Sequence, residues 1–252
     1  MAITEVFQNP TAKQVIFQIR FPNLFFIESK IGELQMAIID KFPESALVFR
    51  RQIVFADIGP REKLEELQDK VTTESGRKVW SFASPLGYKL NVLTDSLDIT
   101  SEYHKTYNNK KSENRFRDII EHVLNPFFNI TKLPFIGRIG LRYIDECPFS
   151  KTTTEDFLLH FNSCFSTKRF SIEDSVEHQY KAVVKRGDHF VRYVETLNSQ
   201  SNPPMLNMDF DGFALNVPTE RYIETTDALH DIILKEFELT IKEPVYKYMR
   251  GE

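Results

Sequence analysis

Two arginines four residues apart, Arg138 and Arg142, stand in the run Arg138-Ile139-Gly140-Leu141-Arg142-Tyr143-Ile144-Asp145. On a strand such residues share a face and lie about 13 Å apart, at ~3.3 Å per residue. Guanidiniums on an open sheet face suit the phosphate or carboxylate groups of a ligand, because each presents a planar fork of donors. The alternative is internal. Asp209 and Asp211 also share a face of a strand-like run, and cross-strand ion pairs would take up both charges. Grouped with Asp145 and Glu146, these carboxylates suggest a divalent-metal site. They read equally as surface or ion-paired acids, since no EF-hand or two-metal spacing accompanies them.

A second candidate is the stretch Tyr103-His104-Lys105-Thr106-Tyr107, continuing through Lys110, Lys111, Arg115 and Arg117. Aromatics mixed with cations are what a single strand of RNA or DNA needs for stacking and neutralisation. A solvated loop ahead of a helix has the same composition. The six histidines, His104, His122, His160, His178, His189 and His230, form no H-E-x-x-H signature and are expected to be structural or solvent-facing. His178 and His189 are the pair that could approach each other across a hairpin. Arg186-Gly187-Asp188 reads as its tight turn, with Gly supplying positive φ. No Gly-rich phosphate loop, nucleophile elbow or Cys–His signature occurs, so no cofactor and no catalytic set are expected. Cys147 and Cys164 read as small buried residues.

The elements that must position these residues follow from periodicity. Val15, Phe17, Ile19 and Phe21 alternate as a strand, and Ile27, Ile31, Leu34 and Ile38 recur at helical spacing. A strand over 47–56, a short helix carrying Leu64, Leu67 and Val71, and strands over 79–83, 88–93 and 97–100 come next. Phe116, Ile119, Ile120, Val123, Leu124 and Phe127 mark a long helix that Pro126 should kink or end. The order restarts at Leu133-Pro134. A strand over 135–144, a helix over 155–165, strands over 176–185, 189–197 and 205–215, and a helix over 226–241 capped by Thr225 or Thr226 complete the chain.

The expected fold is therefore α+β in two similar halves, residues 1–132 and 133–252, forming one compact unit. Each half runs strand, helix, antiparallel meander, helix, with the helices on one face of the sheet in a TBP-like or helix-grip-like manner. The closing helices read alike, Phe116-Arg117-Asp118-Ile119-Ile120 against Leu229-His230-Asp231-Ile232-Ile233, which suggests internal duplication.

With 252 residues, 41% hydrophobic and a net charge of −4, the chain has the composition of a folded protein without a global field for polyanions. Two cysteines make no disulfide framework, the first ten residues lack a signal-peptide pattern, and no apolar run is long enough for a membrane helix. A cytoplasmic location and no membrane partner are the expectation.

The run from Ile139 to Asp145 resembles the I-G-L-R-Y-[IV]-[ND] strand of an uncharacterised, sporadically distributed prokaryotic family of about this length. Trp80-Ser81-Phe82, Asp209-Phe210-Asp211 and Phe237 resemble its W-x-F strand, D-x-D strand and Phe-containing terminal helix. The resemblance implies no catalytic residue. Patchy distribution fits defence-associated genes. The function expected is non-enzymatic binding of a protein partner, as in toxin–antitoxin or defence systems, through Arg138 and Arg142 with the Lys105–Arg117 loop as a second contact. The alternative is nucleotide or nucleic-acid binding by the same cations.

Overall fold

The computed structural model describes residues 6–50, 77–102, 104, 106–109, 112 and 114–252. The strand expected beyond Arg50 and the helix with Leu64, Leu67 and Val71 lie outside the described residues, as do Lys105, Lys110 and Lys111. The chain is α+β. Its strands are β1 (Ala12–Arg20), β2 (Glu44–Arg50), β3 (Arg77–Ala83), β4 (Tyr88–Val92), β5 (Ser96–Ser101), β6 (Phe135–Pro148), β7 (Glu177–Arg186), β8 (His189–Asn198) and β9 (Met205–Pro218). The helices are α1 (Ile27–Ile38), α2 (Phe116–Thr131), α3 (Thr154–His160), α4 (Tyr222–Thr240) and α5 (Glu243–Arg250).

The nine strands among the described residues join one sheet in the order β2-β3-β4-β5-β1-β6-β9-β8-β7, and every neighbouring pair is antiparallel. Alternation decides its two faces. Val15, Phe17 and Ile19 of β1 face Tyr143, Leu141 and Ile139 of β6, and all point into one core with Phe82, Leu90, Val92, Leu97, Ile99, Met208 and Phe210. The buried apolar residues of the five described helices belong to that same core. Gly212 lets α4 sit close on β9, since a Cβ there would stand 3.0 Å from Ile233 Cδ1. The other face of the sheet, which carries Arg138 and Arg142, is covered by none of these helices.

The turn between β7 and β8 has two residues, Gly187 and Asp188, because Arg186 pairs with His189, and Gly187 takes φ +60°. The strand register also separates His178 from His189. His178 faces Leu197 at the far end of the hairpin, while His189 adjoins the turn.

Two local expectations are corrected, for the second short helix and the cap of the last long one, and two are narrowed. Pro126 lies inside α2 and does not end it; burying Phe127 and Thr131 carries the helix another turn, with Thr131 Oγ1 donating to the Phe127 carbonyl. Helix α3 stops at His160, because Phe161 turns extended to bridge Ile241 and the Lys242 N–H donates to the His160 carbonyl. Thr225 and Thr226 are buried in the second turn of α4 rather than capping it, and Thr226 Oγ1 donates to the Tyr222 carbonyl. Phe116 opens α2, whereas Leu229 lies two turns into α4. Helix α5 was not foreseen. Pro244 suits its first turn, and Gly251 at φ +78° closes it.

Candidate functional site: the open face of the sheet

Reading across the strands at one level gives Ile16, Arg142, Asp211, Arg192 and Val183; these five belong to β1, β6, β9, β8 and β7. One level toward the turn the row is Gln18, Gly140, Phe213, Phe190 and Lys185. One level away it is Gln14, Ile144, Asp209, Val194 and Lys181. Period-2 alternation therefore gathers Arg138, Arg142, Asp209 and Asp211 on one surface, together with Arg192, which the sequence reading did not single out. A strand-like run with Arg two residues after Phe190 was the available signal.

The internal pairing is the one the structure realises. Arg142 Nε and Nη2 donate to Asp209 Oδ1 and Oδ2 at 2.6 and 2.7 Å. Arg138 Nη2 donates to both oxygens of Asp211 at 2.8 and 2.9 Å. Arg192 joins the two pairs, with Nη2 donating to Asp209 Oδ2 at 3.1 Å and Nε lying 3.6 Å from Asp211 Oδ2. Charge-assisted two-point pairs of this kind hold both partners in fixed orientation. The carboxylates are only 19% and 16% exposed, so the pairs are partly desolvated and stronger than ordinary surface bridges.

Gly140 has a mechanical role here. Arg138 faces Leu215 in the register, four residues from Asp211, so its side chain must lie flat along the sheet to reach its partner. It crosses directly above Gly140, where a Cβ would stand 2.6 Å from Arg138 Nη1. Its guanidinium carbon then lies 4.8 Å from the centre of the Phe213 ring, and Phe213 stacks on Phe190 at 5.2 Å. Arg20 sits across from Arg138 and donates to Gln18 Oε1 at 3.0 Å.

The carboxylate cluster does not assemble. Asp145 points into the core, opposite in face to Asp209 and Asp211. It accepts from Thr11 Oγ1 at 2.9 Å, and burial pushes its carboxyl up to about 7. Among the described residues no three His, Cys, Asp or Glu side chains are arranged to hold a metal.

The second predicted contact is turned inward where it is described. Arg115 pairs with Asp118 at 2.6 Å at the start of α2. Arg117 chelates Asp227 of α4 through Nε and Nη2 and also meets Glu121. Tyr107, 2% exposed, donates to Asp227 Oδ1 at 2.7 Å and stacks on His230 at 4.2 Å. His230 Nδ1 lies 3.1 Å from Tyr143 Oη, and His104 meets Tyr143 and Phe116 edge-on. The loop before α2 is thereby tied to α4. Burial lowers His230 to about 4 and His104 to about 3, so both imidazoles are neutral at physiological pH.

A third polar group lies under the core end of β8. Glu195, fully buried, accepts from the hydroxyls of Ser163 and Tyr193 and from the Cys164 N–H at 3.2 Å. Cys164 itself is exposed, contrary to the expectation for both cysteines, while Cys147 is buried. The chain leaves α3 early, which puts Cys164 in an irregular segment rather than on a packed helix face.

No protein-family model matches the chain, and a search of curated protein sequences also finds no match. No helix among the described residues is long and apolar enough to cross a membrane.

Proposed function

We propose that this chain is a non-enzymatic binding protein of the prokaryotic family it resembles, acting in the cytoplasm and receiving a protein partner on its open sheet face. The partner would be of the toxin–antitoxin or defence type. The observation that carries this reading is the ordered Arg138–Asp211, Arg142–Asp209 and Arg192 network on a face that none of the five described helices covers. Fixed, internally paired charges beside half-buried apolar side chains such as Phe190, Phe213, Ile16 and Val194 resemble a protein interface more than a phosphate grip. Both cysteines are free, which suits a reducing compartment.

The two halves are read as duplicates in a TBP-like or helix-grip-like arrangement. Support comes from the strand order, which runs β1-β5-β4-β3 outward on one side of the β1/β6 seam, with β2 added at its edge, and β6-β9-β8-β7 on the other.

A photo-crosslinking residue at Val183 or Leu215, both exposed on the open face, should capture one stoichiometric protein from the native cell. The same residue at Leu239, exposed on α4, should not. Capture from Leu239 alone, or from none of the three, would refute the reading. Nucleic-acid binding is favoured by one observation, the excess of cations over acids in the middle rows. It requires affinity that falls steeply with salt.

A further inference from the structure

We propose that the partner presents an extended acidic segment, which adds to the sheet along β7 with its carboxylates toward Lys181 and Lys185. This rests on the reading of the open face as the recognition surface and names the chemistry of what it receives.

Three observations lead there. First, β7 is ten residues long and is the last strand of the sheet, so its outer row of N–H and C=O groups has no ladder partner among the described residues. A strand edge of that length is a template for a further strand. Second, the cations of the inner strands are paired from within: Arg138 with Asp211, and Arg142 and Arg192 with Asp209. Lys181 and Lys185 are exposed and make no ion pair or side-chain hydrogen bond among the described residues. They occupy alternate positions on the open side of the edge strand, flanking Val183, which is 58% exposed. Third, the charge of this face is polar along the strands. Arg20, Arg138, Arg142, Arg192, Lys181 and Lys185 lie toward the turn and the middle rows, against Asp98, Asp209 and Asp211. Glu146 and Glu177 lie at the far end, beside Asn207 and Asn198. In an extended segment lying beside β7, carboxylates at every second residue share one face and would meet both lysines and the positive end of the sheet.

The same geometry disfavours a nucleic-acid strand here. Phe213 carries Phe190 on one side and the Arg138 guanidinium over its ring, leaving no open face for a base. Nη2 of Arg138 and Nε and Nη2 of Arg142 are already engaged by carboxylates.

The test uses the whole protein and a fluorescein-labelled decapeptide of alternating Glu and Thr, followed by anisotropy at low salt. Binding is expected. It should weaken by at least about tenfold in K181E/K185E, two exposed positions whose reversal should leave the circular dichroism unchanged. Methylating alternate backbone nitrogens, in each of the two possible phases, should abolish binding in one phase. A Lys-Thr decapeptide and oligothymidylate should not compete. The proposal is overturned if the Glu-Thr peptide fails to bind, if K181E/K185E binds it unchanged, or if neither methylation phase matters. It is also overturned if oligothymidylate binds more tightly, or if sedimentation shows a second copy of the chain already on the edge. Capture of a partner from Leu215 that is indifferent to K181E/K185E would sink this inference and leave the open-face reading standing. Peptide binding as expected, without any partner captured from the open face, would do the reverse.

Discussion

Replacing His230 with Gln should flatten the acid side of the stability curve. His230 lies on α4 between the stacked Tyr107 ring and the Tyr143 hydroxyl, with His104 beyond Tyr143 and the Arg117–Asp227 pair at its flank. Burial lowers its imidazole from the ordinary 6.5 to about 4. The unfolded chain therefore takes up the proton first. Stability is complete above pH 6.5 and is lost as pH falls toward the folded value, at up to ~1.4 kcal/mol per pH unit. Between about pH 7.5 and pH 5 the loss from His230 alone is about 2 kcal/mol. This is an upper figure, because part of the ring edge stays accessible. His104, lowered to about 3, contributes in the same direction. Asp145 acts oppositely: its carboxyl is raised to about 7, so its contribution is present at low pH and fades as pH rises through 7. In the wild-type curve Asp145 thus partly offsets the two histidines, and the substitution removes one component. Urea unfolding can be followed by the single tryptophan, Trp80, which packs partly buried against the core. His230→Gln should lose about 2 kcal/mol less than wild type on acidification, near 1 M urea in the relative midpoint at a slope of roughly 2 kcal/mol/M. Equal pH dependence in the two proteins would refute the burial argument, and a steeper loss in the variant would reverse its sign.

Gly212→Val should destabilise the protein by about 1–3 kcal/mol in the same urea assay, because the new side chain enters the space of Ile233 and Leu229 and forces α4 off β9. Asp209→Asn should cost about 1–3 kcal/mol, since Arg142 and Arg192 both lose a charged partner in a partly desolvated site, and it should increase retention on a heparin column. A thiol reagent should modify one cysteine per native chain, Cys164, and the second only after unfolding. Burial and the neighbouring Glu195 raise the Cys164 thiol, so the native reaction should quicken well into the alkaline range.

Much of the fold was legible along the chain because it depends on short-range periodicity. Val15, Phe17 and Ile19 announce a half-buried strand without reference to any other segment. Ile27, Ile31, Leu34 and Ile38 announce a helix, and Gly187 marks a turn by its backbone freedom. Elements failed where a distant segment overrode local preference. Phe161 leaves its helix for a bridge to Ile241. Thr225 and Thr226 look like caps but are packed inside α4.

The candidate site divides in the same way. That Arg138 shares a face with Arg142, and Asp209 with Asp211, follows from the two-residue period alone. Which face that is, and which strand lies alongside, was decided only by tertiary structure. The register of β6 on β9 sets Asp211 opposite Arg142, and the register of β9 on β8 brings in Arg192 from a hairpin whose sequence pointed elsewhere. Asp145, one residue out of phase with those acids, was sent to the core by the same alternation. The face left open by the described helices, the engaged guanidiniums and the lysines on β7 without ion-pair partners among the described residues arise from strand order. Strand order is set by which apolar faces close on a common core, and no window of the chain contains that information.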